Sequence, residues 1–165
     1  MKSKKLQVED FDVSNLGDYI GKGHFGECYH YKDKLVLKCL TNYDDKMIEH
    51  LKVLIGIENS TYVFPISFVK DNDHLFGILI PFLKGFKLDR EISKIKVKDL
   101  LSHLISTYED TLELSSRNIL TEDVEPKNMV LKDDRISIYD TDFYLYLPNR
   151  NGIEEENLFN LNRTI

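Results

Sequence analysis

The alternation of apolar and polar residues in the first half of the chain predicts a β-sheet. Residues 18–22, 27–32 and 34–40 are rich in β-branched, aromatic and apolar residues, and short connections join them, as in successive strands. Two more strands are predicted at 62–69 and 75–80, on either side of an Asp-Asn-Asp turn. Together these segments predict a five-stranded antiparallel sheet.

Three segments predict helices. Residues 44–57 carry apolar residues three and four positions apart, so an amphipathic helix is predicted after the third strand. Residues 97–118 predict a longer helix, and a last short helix is predicted at 154–161. The apolar face of the long helix is expected to be lined by Leu100, Leu101, Leu104, Ile105, Tyr108 and Leu112.

Proline and glycine interrupt the pattern at residues 81–85, which we interpret as a hinge. This hinge would separate an amino-terminal lobe, residues 17–80, from a reduced helical carboxyl-terminal lobe, residues 86–165. Residues 1–16 are predicted to be an N-terminal tail. The expected fold class is α+β, with both lobes forming one domain.

The second lobe is expected to contain a polar loop at 121–128 after its long helix. Two short strands, 129–131 and 136–139, are predicted to follow this loop, with a turn at 133–134 between them. The loop and the end of the second strand carry most of the acidic residues that are considered below.

The composition is that of a globular protein of 165 residues, 42% of them hydrophobic. The formal net charge of −6 argues against a general affinity for nucleic acid or an anionic membrane. No apolar stretch is long enough to span a bilayer. Cys28 and Cys39 are the only cysteines, and no secretory signal is recognisable, so we expect a reduced, cytoplasmic protein with neither a nucleic-acid nor a membrane partner.

A glycine motif joins the first two predicted strands. Gly21, Gly23 and Gly26 form a G-x-G-x-x-G run, which lets backbone N–H groups come close to phosphate oxygens. A plain β-turn with extra glycines explains this motif equally well when it is taken alone.

Lys38 lies on the strand after the glycine motif, among apolar neighbours. A cation at this position can reach the phosphates of a nucleotide, provided that a carboxylate holds it, because a buried unpaired ammonium is costly. Glu49 on the next helix is the natural partner, with Asp44, Asp45 and Glu58 as alternatives. The competing interpretation is a surface lysine at a strand end.

Asp123, Asn128 and Asp140 complete the set of candidate residues. The Asp-x-x-x-x-Asn spacing lets one loop present a carboxylate to an acceptor hydroxyl and an amide oxygen to a metal ion. Asp140, at the end of a predicted strand, would be the principal Mg²⁺ ligand, and Asp142 could assist it or face solvent. Each acidic residue alone is unremarkable, and their order along the chain is the signal.

At these residues the chain resembles a small and divergent version of the eukaryotic-type protein kinase fold, over about residues 18–147. Residues 21–26 resemble the glycine-rich loop, and residues 35–38 resemble the V-A-I-K strand. Residues 121–128 resemble the catalytic loop H-R-D-L-K-P-E-N, and residues 140–142 stand where D-F-G would be. The resemblance implies a two-lobed α+β fold with a five-stranded first lobe.

The resemblance also implies a nucleotide site. Cys28 and Val36 would cover the adenine from above, Val130 would form its floor, and Ile80 would be the gatekeeper. Phe82 and Leu83 would belong to the segment whose backbone pairs with the adenine edge. The implied cofactors are ATP and Mg²⁺, the implied catalytic residues are Asp123, Lys38 and Glu49, and the implied reaction is transfer of the γ-phosphoryl group to a hydroxyl.

Departures from the kinase motifs leave three functions open. Thr121 and Glu122 replace the His and Arg of H-R-D, Asp142 replaces the Gly of D-F-G, and no A-P-E segment follows. The first function is an active phosphotransferase with a protein acceptor that the sequence does not identify. The second is a catalytically inactive pseudokinase that serves as a protein interaction module. The third is a kinase for a small molecule.

Overall fold

The computed structural model describes residues 6–23, 26–41, 43–91, 93, 96–132 and 135–164. The first five residues of the predicted tail, His24 and Phe25 of the glycine motif, and the predicted turn at 133–134 lie outside these described residues. The described part combines helices with a large mixed sheet, which confirms the α+β class.

The chain divides into two compact units. The first contains residues 1–57 and 64–82, and the second contains residues 58–63 and 83–165. The chain passes from the first to the second unit within the segment 81–85, and residues 58–63, expected in the first lobe, group with the second unit. Each unit is described by itself below.

The first unit contains a six-stranded sheet, not the five-stranded antiparallel sheet predicted from the sequence. Its strands, in the order β1-β5-β6-β4-β3-β2, are β1 (Val8–Asp10), β2 (Leu16–Gly23), β3 (Gly26–Tyr31), β4 (Leu35–Leu40), β5 (Ser67–Asp71) and β6 (His74–Pro81). Neighbouring strands are antiparallel except β1 and β5, which are parallel.

The extra strand β1 lies in the segment that was predicted to be a tail. It is only three residues long, too short to show an alternating pattern, and it is held by main-chain hydrogen bonds. The amide of Phe68 donates to the carbonyl of Gln7 over 2.9 Å, and the amide of Phe11 donates to the carbonyl of Lys70 over 2.7 Å. The tail prediction for residues 1–16 is therefore wrong at this strand.

The strand predicted at 62–69 is also shorter than expected. Only its end belongs to β5, while Tyr62 forms an isolated parallel bridge with Ile138 in the second unit. Pro65 lies between these two places, and proline has no N–H to contribute to a continuous ladder.

Helix α1 (Asp45–Leu54) covers one face of this sheet. Asp44 begins the helix by accepting a hydrogen bond from the amide of Met47 over 2.8 Å. The buried Leu51 packs with Phe68 and Ile78 of the sheet. A second buried cluster, made by Tyr31, Leu37, Val69 and Leu79, holds other residues of the same strands together.

The second unit is built around helix α3 (Val97–Ser116). Its other elements are β7 (Phe86–Lys87), α2 (Leu88–Glu91), β8 (Ile119–Leu120), β9 (Met129–Lys132), β10 (Arg135–Ile138), β11 (Leu145–Tyr146) and α4 (Ile153–Thr164). Strands β10, β9 and β7 form one small sheet, and β11 pairs with β8. Within the described residues, none of the helices is both long enough and apolar enough to cross a membrane.

Helix α3 buries a different face from the one predicted. Of the residues expected on its apolar face, Leu101 is 56% exposed and Ile105 is 65% exposed. The buried face instead carries Thr107, Thr111 and Ser115, whose hydroxyls each donate to the carbonyl four residues earlier, over 2.7–2.9 Å. Because the helix itself satisfies these hydroxyls, they are buried without leaving unpaired polar groups. The prediction of the helix is confirmed. The prediction of its apolar face is wrong for Leu101, Ile105 and Tyr108, which are exposed, whereas Leu100, Leu104 and Leu112 are half-buried.

Candidate functional site

The glycine motif forms the end of the β2–β3 hairpin, where Gly23 pairs with Gly26 and Gly21 pairs with Cys28. A Cβ atom on Gly26 would lie 2.1 Å from the carbonyl oxygen of Cys39, so the packing of β3 on β4 requires glycine there. No such reason exists at the other two positions. A Cβ on Gly21 would meet no described atom within 4 Å, and neither glycine is among the described residues with positive φ. Close packing between strands therefore explains Gly26 but not Gly21 and Gly23.

Lys38 is buried in the middle of the first unit's sheet, with only 5% of the residue exposed. It lies on β4 opposite Cys28 of β3 and Ile78 of β6. The interpretation of Lys38 as a surface lysine at a strand end is therefore wrong. A buried ammonium requires polar partners, and this burial agrees with a lysine that has a defined role inside the fold.

Most of the predicted nucleotide-contacting residues of the first unit share a face of the sheet with Lys38. Residues that are paired across antiparallel strands, or separated by two along one strand, point to the same side. Cys28 is paired with Lys38, Val36 precedes Lys38 by two residues, and Ile80 is paired with Val36. The side chains of Lys38, Cys28, Val36 and Ile80 therefore lie on one face of the sheet. Ile78 lies on the same face, which helix α1 covers.

Glu49 lies on α1, and its side chain is 70% exposed. Its carboxylate makes an ion pair with Lys52, one turn further along the same helix. An ion pair between Glu49 and Lys38 therefore stays a prediction. Among the alternative partners, Asp44 is used as the N-cap of α1.

The remaining predicted contacts lie at the end of β6 and in the second unit. The ring of Phe82 packs edge-on against His30, with 4.7 Å between the ring centroids. Leu83 begins the second unit's main segment, and Val130 is buried on β9 between β7 and β10. Cys28 and Cys39 of the first unit are not joined by a disulfide.

The second unit brings Asp123 and Asn128 into direct contact. The amide nitrogen of Asn128 donates to the backbone carbonyl of Asp123 over 3.1 Å and to its carboxylate over 3.2 Å. A single 3₁₀ turn, Pro126–Asn128, closes the loop between them and buries the Asn128 side chain. Because the amide nitrogen is used in this way, the amide oxygen of Asn128 is the atom left to act as a ligand.

Lys127 is a residue that the sequence reasoning missed. Its ammonium lies 3.7 Å from a carboxylate oxygen of Asp123 and 2.7 Å from one of Glu125. The hydrogen bond that this ammonium donates to Glu125 is the main cause that raises the pKa of Lys127, and the charge of Asp123 adds to it. The available signal was the spacing, since a lysine four residues after an aspartate in a short loop can fold back onto it.

Asp140 follows β10 and has a left-handed backbone, with φ of 64°. Asp123 also has positive φ, at 50°. This conformation is unfavourable for residues other than glycine and often marks functional sites. The amide of Tyr139, next to Asp140, donates to the carbonyl of Asn128 over 3.0 Å, so the two candidate metal ligands are joined through neighbouring backbone.

Tyr144 is a buried residue four positions after Asp140. Its side chain is fully buried, and its ring packs edge-on against Tyr62 with 5.8 Å between the centroids. Burial is the main cause that raises its pKa well above the usual value, and the negative charges of Asp123 and Asp140 contribute further. This hydroxyl therefore stays protonated at neutral pH.

Helix α4 is hydrogen-bonded to the beginning of the loop that contains Asp123. The Oδ1 atom of Asn157 accepts hydrogen bonds from the amide of Thr121 over 2.6 Å and from its hydroxyl over 2.9 Å. Its Nδ2 atom donates to the carbonyl of Ile119 over 2.8 Å and to the hydroxyl of Ser115 over 2.9 Å. Every polar function of this buried amide is therefore used.

Two further side chains of α4 extend this anchor. Asn160 donates from Nδ2 to the carbonyl of Thr121 over 2.7 Å, and the hydroxyl of Thr164 donates to the carbonyl of Val124. The sequence predicted α4 only as a short terminal helix. The structure shows that it fixes the backbone on both sides of Asp123.

The donor set can be tested against the implied Mg²⁺ ion. The described residues contain no group of three or more His, Cys, Asp and Glu side chains that could hold a metal ion by themselves. Mg²⁺ at phosphotransfer sites is usually bound by one or two protein oxygens together with phosphate oxygens and water. Asp140 and the amide oxygen of Asn128 fit this second kind of site.

Comparisons with known proteins point in the same direction at low similarity. An Aurora kinase of Yarrowia lipolytica (strain CLIB 122 / E 150) is 24% identical to this chain over 161 residues, which cover 88% of the chain and 43% of that kinase. The chain thus spans less than half the length of this relative. No protein-family model matches the chain. The comparison supports a distant similarity to kinases and nothing finer.

Proposed function

We propose that this protein binds ATP with Mg²⁺ and transfers the γ-phosphoryl group to a hydroxyl, within a divergent two-lobed kinase-like fold in the cytoplasm. The observation that carries the proposal is the contact between Asn128 and Asp123, together with the hydrogen bond that joins Asn128 to the residue before a second left-handed aspartate, Asp140. This arrangement has a carboxylate for an acceptor hydroxyl and two oxygen ligands for a metal ion. The distant similarity to an Aurora kinase supports the same reaction class.

The first unit would position the nucleotide. The backbone of Gly21 and Gly23 would approach the phosphates, because neither position is needed for packing. Lys38 would neutralise phosphate charge, with Glu49 as its proposed partner. Cys28, Val36 and Ile80, on the same face of the sheet as Lys38, would contact the adenine.

The second unit would carry the chemistry. Asp123 would accept the proton of the acceptor hydroxyl while that oxygen forms its bond to the γ-phosphorus and the bond to the β-phosphate oxygen breaks, so that ADP leaves. Asn128 and Asp140 would hold the metal ion, which offsets the charge of the phosphates. Lys127, beside Asp123, would stabilise the negative charge on the phosphoryl group as it moves.

The variant Asp123→Asn tests this mechanism. We expect ATP binding, followed by calorimetry in the presence of Mg²⁺, to change less than about threefold, and phosphoryl transfer to fall by roughly 10²- to 10⁴-fold. Transfer is measured with γ-labelled ATP against a panel of protein and small hydroxyl acceptors, with water as the reference acceptor. Asp71→Asn, at the exposed end of strand β5 in the first unit, is the matched control. Unchanged transfer in Asp123→Asn would exclude this base.

A pseudokinase is the second candidate, and one observation favours it. Asp142 replaces the glycine of D-F-G, and its side chain is buried instead of facing solvent. A buried carboxylate next to Asp140 alters the charge at the proposed metal site. Thermal stabilisation by ATP and Mg²⁺ without any labelled product, in the unmodified protein, would favour this candidate, whereas the absence of both effects would remove both nucleotide proposals.

A further inference from the structure

The exposed face of α3 carries a continuous apolar stripe. Val97, Leu101, Ile105 and Tyr108 are 72%, 56%, 65% and 43% exposed. At 100° per residue these four positions lie within about 80° of one another around the helix axis. They therefore form one stripe along about three turns of α3. We call this set of four residues the α3 stripe.

This exposure is unusual because α3 has buried polar residues on its other side. The hydrophobic effect alone would turn the apolar face inward and the hydroxyl face outward. Here the packed side holds Thr107, Thr111 and Ser115, so the helix cannot rotate to cover the stripe without exposing Leu114 and breaking the hydrogen bond between Tyr62 and Thr111. Large exposed apolar patches on folded proteins commonly mark interaction surfaces.

Charged residues beside the stripe indicate which occupant it fits. Lys98 and Glu109 are both exposed and lie about 20° apart around the helix axis, along the same edge of the stripe. One is near the beginning of the stripe and the other just after its end. A second copy of the helix in the antiparallel direction would place each lysine opposite the glutamate of the other copy.

The apolar residues of the α3 stripe fit the same antiparallel arrangement. In antiparallel pairing about a two-fold axis, the midpoint of the two residue numbers must be the same for every pair of facing residues. Lys98 with Glu109, Leu101 with Ile105, and Val97 with Tyr108 are all centred within one residue of position 103. Charge and shape thus select the same register independently.

We propose that the α3 stripe is a self-association surface through which two copies of this chain pair as an antiparallel, two-fold symmetric dimer. Leu101 and Ile105 would lie at the centre, Val97 would pack against Tyr108 of the other copy, and two Lys98–Glu109 ion pairs would flank the contact. A single helix pair buries an area at the low end for protein interfaces, so the dimer is weak, with a dissociation constant on the order of 10–100 µM.

Sedimentation velocity of the whole chain over a concentration range around this value tests the proposal. We expect a reversible monomer–dimer equilibrium, and Ile105→Glu should weaken it by roughly 30-fold or more because each dimer would bury two unpaired carboxylates. Val13→Glu, at an exposed apolar position of the first unit, is the matched control and should leave the equilibrium unchanged. Circular dichroism confirms that both variants are folded.

A charge exchange tests the orientation. Lys98→Glu alone and Glu109→Lys alone should each weaken the dimer several-fold, and the double variant should restore it, because antiparallel pairing again brings opposite charges together. A chain that stays monomeric over the whole range overturns the proposal, as does a dimer that Ile105→Glu leaves intact. Sedimentation with anionic lipid vesicles, in the absence of self-association, would assign the stripe to a membrane surface and would equally overturn it.

Discussion

Helices α1 and α3 have the same kind of sequence pattern and bury opposite kinds of residue. Helix α1 buries the apolar residues Leu51 and Leu54, and Leu51 packs against the sheet of the first unit. Helix α3 buries a row of hydroxyls in the second unit and exposes Leu101 and Ile105. The difference shows that periodicity identifies a helix and its faces, while the neighbouring elements decide which face is covered.

The cost of burial explains how α3 can behave in this way. A hydroxyl that is buried without a partner costs several kcal/mol at worst, but Thr107, Thr111 and Ser115 each bond to a carbonyl of their own helix. Their burial therefore costs little. The same side chains can then make a second contact, as Thr111 does with Tyr62 and Ser115 does with Asn157.

The largest difference in the free energy of unfolding should appear when one leucine is replaced by alanine on each of the two helices. Leu51→Ala on α1 removes a fully buried side chain, and we expect it to lower the free energy of unfolding by about 2–5 kcal/mol. Leu101→Ala on α3 removes an exposed one, and we expect a change within about 0.5 kcal/mol in dilute, monomeric protein. Urea denaturation measures both. Equal losses would mean that the two helices do not differ as described.

The stability of the packing on the polar side of α3 should depend on the hydrogen bonds of Asn157. Asn157→Leu leaves the amide of Thr121 and the carbonyl of Ile119 buried without their partners, so we expect a loss of about 2–4 kcal/mol. Asn162→Leu, at an exposed position of the same helix α4, is the control. Thermal unfolding measures both variants, and a loss no greater than that of the control would show that the amide network contributes little.

The smallest effect should appear only at high pH. Burial raises the pKa of Tyr62 to about 12 from an ordinary value near 10, although its hydrogen bond with Thr111 opposes this rise. The folded state therefore keeps its proton when the unfolded state loses it. This stabilisation is fully present below about pH 10, and it is lost as the pH rises towards 12.

The loss should approach about 3 kcal/mol at most. Tyr62→Phe should flatten the decrease in the free energy of unfolding between pH 9 and 11 that titration of this group causes. Tyr19→Phe, at an exposed position, should leave that decrease in place. Denaturation at a series of pH values measures it, and identical curves for Tyr62→Phe and the unmodified protein would contradict the assignment.

Local patterns in the sequence were sufficient for much of the first unit. The strands after the glycine motif and helix α1 follow from alternation and from a three-and-four period, and the Asp44 cap marks the start of the helix. Strand β1 could not be found in this way, because three residues carry no pattern and its parallel pairing depends on β5, far away in the sequence.

The candidate site divides along similar lines. Asp123 and Asn128 were predicted from their spacing within one loop, and the structure joins them by hydrogen bonds. Asn157 was missed as part of the site, because its hydrogen-bond partners Thr121 and Ile119 lie 36 and 38 residues away along the chain. The ion pair between Lys38 and Glu49 stays a prediction.

By itself, the sequence determined where the helices and most strands lie, and which polar residues stand in an order typical of phosphoryl transfer. Those properties depend on residues close together in the chain, whose periodicity and spacing are local. Only the tertiary structure decided that α3 turns its hydroxyls inward, that α4 anchors the loop of Asp123, and that Tyr144 packs against Tyr62. Each of these depends on the packing of distant segments, where the cost of burying a polar group is set by the partners that the fold brings to it.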